Sequence, residues 1–216
     1  MTSANEALET RSTIARAKPP LWLVAVLSVA VGLYGLSYLF GHPAPPGPAA
    51  NAAGRLWLVL HAVPAGAALL IGPWQFFSAI RTRRPRIHRM MGRTYIALCA
   101  FAGSAGLVLA WNTSSGNVAR YGFLTLAVVW LSVTGLAYAA ALRRDFVSHR
   151  AWMTRSFALT FAAVTLRAYL PFSALPHLSF AIVYPLTAWV SWIPNLVVAE
   201  LWLRSRPPPV LTPAPR

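Results

Sequence analysis

Six apolar runs of about 20 residues divide this chain, each long enough to cross ~30 Å of hydrocarbon as a helix rising 1.5 Å per residue. They cover residues 20–40, 55–79, 94–112, 121–142, 153–173 and 180–203. Most have no polar face, which excludes a soluble bundle whose helices each bury one stripe. Hydrophobic residues make up 57% of the chain and charged residues 11%, about half the charged share of a soluble domain. In lipid every backbone polar group must be bonded within the protein, so such runs fold as helices. The expected fold class is all-α: a polytopic membrane protein with six transmembrane helices over 20–204. A tail over 1–19 precedes it and a Pro-rich tail over 205–216 follows. Arg16 and Lys18 precede the first run as they would in a signal peptide. Its apolar stretch is too long for a signal h-region, so a retained helix is expected.

The basic residues set the orientation. Sixteen arginines and lysines flank the spans on one side, in the amino-terminal tail, the second-to-third loop, the fourth-to-fifth loop and the carboxyl tail. The opposite side has Arg55 and Arg120. The positive-inside rule then places both termini and both basic loops in the cytoplasm. Trp22, Trp74, Trp152 and Trp202 fall at that end and Trp57 and Trp111 at the other, as interfacial belts require, while Trp130, Trp189 and Trp192 lie deeper and are expected to pack between helices. The formal charge of +15 sits in loops and tails. It builds no folded basic face with interleaved aromatics, and nucleic acid is not an expected partner.

The two basic loops carry nearly the same word. One reads Arg83-Arg84-Pro85-Arg86-Ile87-His88-Arg89, with Arg93 beyond it. The other reads Arg143-Arg144-Asp145-Phe146-Val147-Ser148-His149-Arg150, with Arg155 beyond it. Two hairpins built from one unit, spans two–three and four–five, would explain the repeat. His88 and His149 then open spans that run in the same direction, at matching depth. They could hold one haem iron from two sides, with Arg89 and Arg150 on its propionates and Gln75 and Asn195 completing a polar pocket. The plainer reading is that these loops bind anionic lipid headgroups and set topology, with Ser148 as an N-cap and Pro85 in a first turn.

Carboxylates are scarce. Glu6 and Glu9 lie in the first tail, Asp145 in a loop and Glu200 near the end of span six. None is placed mid-membrane, which disfavours a proton- or sodium-coupled carrier with an acidic ion site. Two basic groups do lie within spans. His61 is roughly 9 Å into span two from the outer side. It is a candidate haem ligand, metal ligand or proton relay, or the donor of an interhelical hydrogen bond. Arg167 lies roughly 22 Å along span five, close to the depth of His61. It either snorkels to the outer interface or faces the bundle and neutralises a carboxylate, a propionate or a lipid phosphate. His42 and His177 belong to outer connectors, and His177 could join His61 as a second pair. Pro64 and Pro73 in span two, with Pro185 and Pro194 in span six, make those helices the expected kinked, cavity-lining ones. Cys99 has no partner for a disulfide and is expected to pack as a small apolar residue. Gly103 and Gly106 could serve either folding or dimerisation.

His61, Gly72-Pro73-Trp74-Gln75-Phe76, Arg81, His88-Arg89 and Gly92-Arg93-Thr94-Tyr95 resemble an uncharacterised family of bacterial membrane proteins, the domain of unknown function 2306. So does the run from His149-Arg150-Ala151-Trp152-Met153-Thr154-Arg155 through Thr160 to Leu166-Arg167. The likeness spans roughly residues 55–200 and implies a multi-pass protein of the bacterial inner membrane, without an assigned reaction. The arrangement is also loosely similar to six-helix di-haem cytochromes of the b561 type, although span four carries no histidine. These resemblances and residues support two expectations. One is a b-type haem on His88 and His149, or on His61 with a second ligand, passing electrons from a quinol or cytoplasmic donor to an outer acceptor. The other is a non-enzymatic subunit or carrier that binds an anionic lipid or small organic anion through Arg167, or an accessory subunit of a respiratory or photosynthetic complex.

Overall fold

The computed structural model describes residues 21–41 and 52–205. His42, the Pro43–Pro48 connector and both tails lie outside them. Among the described residues six helical spans are long and apolar enough to cross a membrane: Leu21–Phe40, Gly54–Phe76, Pro85–Trp111, Gly116–Leu142, Phe146–Ala174 and Phe180–Arg204. Span one is α1 (Leu21–Leu36) with a 3-10 turn. Span two is α2 (Ala52–Ile71) and the 3-10 turn Pro73–Phe76. The short α3 (Ser78–Arg83) leads to α4 (Pro85–Trp111), which is span three, and α5 (Gly116–Leu142) is span four. Span five is α6 (Phe146–Thr160) and α7 (Ala162–Tyr169) with a final 3-10 turn. Span six is α8 (Phe180–Val190) and α9 (Ile193–Arg204).

Spans three and five begin well before their apolar runs, at Pro85 and Phe146, because the helix continues into the polar word. The repeat has a structural counterpart. Each histidine is the fourth residue of its helix, and its backbone N–H donates to the residue just before the helix: His88 to the Arg84 carbonyl (3.1 Å) and His149 to the Asp145 carbonyl (2.9 Å). Pro85 takes the first position, where a missing N–H costs nothing. The cap of α6 differs from the expectation: Asp145, not Ser148, is the N-cap, and its Oδ1 accepts from the Ser148 N–H at 3.0 Å. The hydroxyl and backbone N–H of Ser148 hold the Asp145 carboxyl below the usual carboxylate range, so the cap stays charged at neutral pH.

Spans one to four pack in sequence order, and span five sits among the rest. It touches span one through α7 and spans two, four and six through α6. It is also the least apolar of the six. The two facts share a cause, since hydroxyls cannot face lipid without losing hydrogen bonds. Thr160 Oγ1 donates to the Ser156 carbonyl (3.0 Å), which leaves its oxygen to accept from Tyr95 of span three (2.7 Å) and from Trp130 Nε1 of span four (3.0 Å). Ser156 Oγ bonds Tyr95 (3.2 Å) and Thr134 (2.7 Å). Cys99 is buried beside this network, as expected of a small apolar residue. Arg155 of span five holds Glu200 of span six, with Arg155 Nη2 at 3.0 Å from Oε2, and stacks on Trp152 at 4.6 Å.

Spans one and two meet backbone to backbone. Ala25, Ser28, Gly32 and Gly35 form the buried stripe of α1. A Cβ on Gly66 of span two would lie 2.7 Å from the Gly32 carbonyl oxygen, closer than any side chain can be. Small residues permit this approach where lipid offers no hydrophobic drive to pack helices.

The proline expectations hold in part. Pro64 runs inside an unbroken α2, and the interruption of span two comes at Gly72–Pro73. Span six breaks at Ser191–Trp192, just before Pro194. Span five also breaks, at Phe161, without a proline. The two breaks are joined: Thr165 Oγ1 donates to the Ser191 carbonyl, and Asn195 Nδ2 donates to the Ala158 carbonyl (3.2 Å) and Thr165 Oγ1 (3.1 Å). Asn195 therefore satisfies groups freed at mid-bundle and does not complete a pocket with His88 and His149.

Candidate functional site

The half of the bundle away from the basic loops contains a cavity of about 510 Å³, within the range of small-molecule sites. Late residues of spans one, three and five and early residues of spans two, four and six line it, as spans of alternating direction require. Its wall is mainly Ala, Gly and Leu, with Phe180 and Tyr184 on span six and Tyr34 and Tyr38 on span one. Spans two and six thus line a cavity, as the proline pattern implied.

His61 and Arg167, matched in depth by sequence counting, both open into this cavity. His61 Nδ1 is 2.9 Å from the Ala102 carbonyl oxygen of span three. A carbonyl only accepts, so Nδ1 carries the proton and Nε2 is the nitrogen left for a ligand. Gly106 makes this contact possible: a Cβ there would sit 3.1 Å from Nδ1. Gly103 likewise meets Leu131 of span four. Both glycines, open at the sequence level between folding and dimerisation, serve contacts within the chain.

Arg167 does not snorkel to the outer surface. Its guanidinium lies over the Tyr34 ring at 4.8 Å, and Nη1 donates to the Ala163 carbonyl one turn back at 2.9 Å. The remaining N–H groups are available to the cavity, beside Tyr38 and Tyr184 and within electrostatic reach of His61. Asp145 and Glu200 are the carboxylates among the described residues. Asp145 caps α6 and Glu200 is held by Arg155, so neither neutralises Arg167. Placing such a charge in lipid costs about 2.5–3.5 kcal/mol, and the tyrosine face offsets only part of that. At the floor, Ser191 is fully buried, lines the cavity, and its Oγ has no hydrogen-bond partner.

The other predicted residues gather at the basic end. His149 Nδ1 is 2.8 Å from the Ala137 carbonyl oxygen of span four, the same commitment that His61 makes. His88 lies within electrostatic reach of Arg81, His149 and Arg89. Gln75 approaches Gly92 on the face that also carries His88. Arg150 is exposed. His177 is an exposed turn residue with φ 67° and does not line the cavity with His61. Among the described residues no group of three or more His, Cys, Asp or Glu could hold a metal ion. Sequence reading missed Tyr34, Tyr38, Tyr184 and Ser191. A tyrosine near a span end reads as an interfacial anchor, and only helix rotation turns it inward.

Fold and site together define a multi-pass helical membrane protein with an arginine-bearing internal cavity. The chain belongs to the family described as "Predicted membrane protein (DUF2306)", matched over residues 58–203. His61 and Arg167 fall inside that stretch, while Tyr34 and Tyr38 precede it. No curated protein and no solved structure matches the chain.

Proposed function

We propose that this protein binds an amphiphile with an anionic head, a carboxylate or a phosphate, in the cavity between its six spans. It would act as a non-enzymatic carrier or subunit of the bacterial inner membrane, with its basic end and both termini in the cytoplasm. The observation that carries this reading is Arg167, opening into an apolar cavity with no carboxylate of the described chain to balance it. The head would take the free guanidinium N–H groups. His61 Nε2 would accept from the protonated oxygen of a phosphate head, and the Ala, Gly and Leu wall would hold the apolar body. The test is equilibrium binding of a long-chain fatty acid and of its methyl ester to purified protein in neutral detergent. A charge-assisted hydrogen bond is worth about 1.5–3 kcal/mol. The acid is therefore expected to bind roughly 10- to 150-fold more tightly than the ester. Equal affinities would contradict the reading.

A second reading keeps the b-type haem and a role in electron transfer with a quinone. One observation favours it: His61 presents Nε2 while Nδ1 is fixed by a carbonyl, the arrangement that orients ligating histidines. The fit is partial. Arg167 suits a propionate, but His61 is the one histidine among the cavity's lining residues, so an axial pair would have to come from His88 and His149 at the basic end. The absorption spectrum of protein grown with ample haem separates the two readings. A Soret band with a new α-band on dithionite reduction would favour haem; the anion reading expects neither.

A further inference from the structure

The basic end of the bundle holds two buried side-chain nitrogens without hydrogen-bond partners, on elements that meet at Gly92. Gln75 lies in the 3-10 turn that closes span two, and its Oε1 is 3.7 Å from where a Cβ on Gly92 would be. His88 is four residues before Gly92 on α4, hence on the same helix face. Gln75 Nε2 and His88 Nδ1 are both shielded from solvent, and neither has a hydrogen-bond partner. Buried polar atoms in native proteins are normally paired, so two orphans on facing elements point to one missing partner. The surroundings indicate its sign. Arg81 and Arg89 are cationic neighbours of His88. The described carboxylates are committed elsewhere, Asp145 to its cap and Glu200 to Arg155. Gln75 Nε2 is a donor, and His88 Nδ1 donates in the tautomer that protonates it. With two arginines beside them and no free carboxylate among the described residues, the pair makes a site for an anion.

We propose that Gln75 and His88 form a phosphate-binding site at the basic end, with the phosphate oxygens accepting from Gln75 Nε2 and His88 Nδ1 between Arg81 and Arg89. The phosphate is either the headgroup of an anionic phospholipid or a free phosphate. The site is separate from the Arg167 cavity and does not depend on it.

Binding of phosphatidylglycerol and of phosphatidylcholine to the purified full chain in neutral detergent, followed by native mass spectrometry, tests the proposal. Wild type is expected to retain phosphatidylglycerol about ten-fold better than Gln75→Glu. That near-isosteric change places a carboxylate beside His88, supplying the missing acceptor and repelling phosphate. His88→Phe should lose the same preference, and the melting temperature of each variant checks that it folds. Arg83→Ala, an exposed charge outside the cluster, should keep the preference. Displacement of the lipid by millimolar inorganic phosphate identifies a free phosphate as sufficient, and resistance to it identifies the lipid headgroup; either supports the site. Equal retention by wild type and folded Gln75→Glu overturns it. So does a loss in Arg83→Ala as large as that in Gln75→Glu, which would mean diffuse surface charge.

Discussion

Arg167→Gln is expected to remove anion binding from the cavity while leaving a folded six-helix bundle. Glutamine keeps a donor and much of the side chain's length but loses the charge and the paired N–H groups. The loss should reach roughly 10- to 150-fold in affinity, the range of one charge-assisted hydrogen bond. Arg167→Lys should lie between the two, because an ammonium keeps the charge but not the planar fork. Folding need not suffer, and the glutamine variant is expected to be no less stable than wild type when no ligand is present. Arg167 sits over Tyr34 with one hydrogen bond to its own helix, so removing the charge also removes its desolvation cost. Gain of stability with loss of binding distinguishes a functional arginine from a structural one. Thermal melts and fatty-acid titration on the same preparation measure both.

Gly66→Ala is expected to destabilise the bundle strongly. The new Cβ would meet the Gly32 carbonyl oxygen at 2.7 Å and Gly35 Cα at 3.3 Å, both backbone atoms that no rotamer change can move. Spans one and two must separate, which places the effect at the upper end of overpacking, about 3 kcal/mol. Because Gly35 and Gly66 also line the cavity, ligand binding should fall with it. Gly135 is the control. A Cβ there meets nothing within 4 Å, so Gly135→Ala should be neutral or stabilising by up to about 1 kcal/mol through helix propensity. The detergent-denaturation midpoint should fall for Gly66→Ala and stay level or rise for Gly135→Ala. Equal shifts would mean that the contact of spans one and two is not tight.

Hydrocarbon length made the six spans readable, and depth counting placed His61 and Arg167 at one level. Apolarity marks where a helix lies in lipid rather than where it begins, so spans three and five start at Pro85 and Phe146 and not at 94 and 153. Rotation was not readable in spans that are apolar all round. It is rotation that turns Tyr34 onto Arg167, sets Gly106 beside His61, and sends Asn195 to the Ala158 carbonyl instead of the basic end. The break at Phe161 had no proline to announce it. Its polar groups are satisfied by residues of span six, a pairing that single-span patterns do not encode. The polarity of span five was visible in its serines, threonines and arginines. Its central position follows from them once lipid is taken as the solvent.

Native mass spectrometry of the protein purified from its own membranes, wild type beside Arg167→Gln, bears most directly on what the cavity holds. Wild type should release an acidic or phosphorylated amphiphile in the gas phase, and Arg167→Gln should have lost that species while keeping its other bound lipids. Identical ligand profiles in the two proteins, or a wild type that carries no anionic species at all, would contradict an anion-binding cavity.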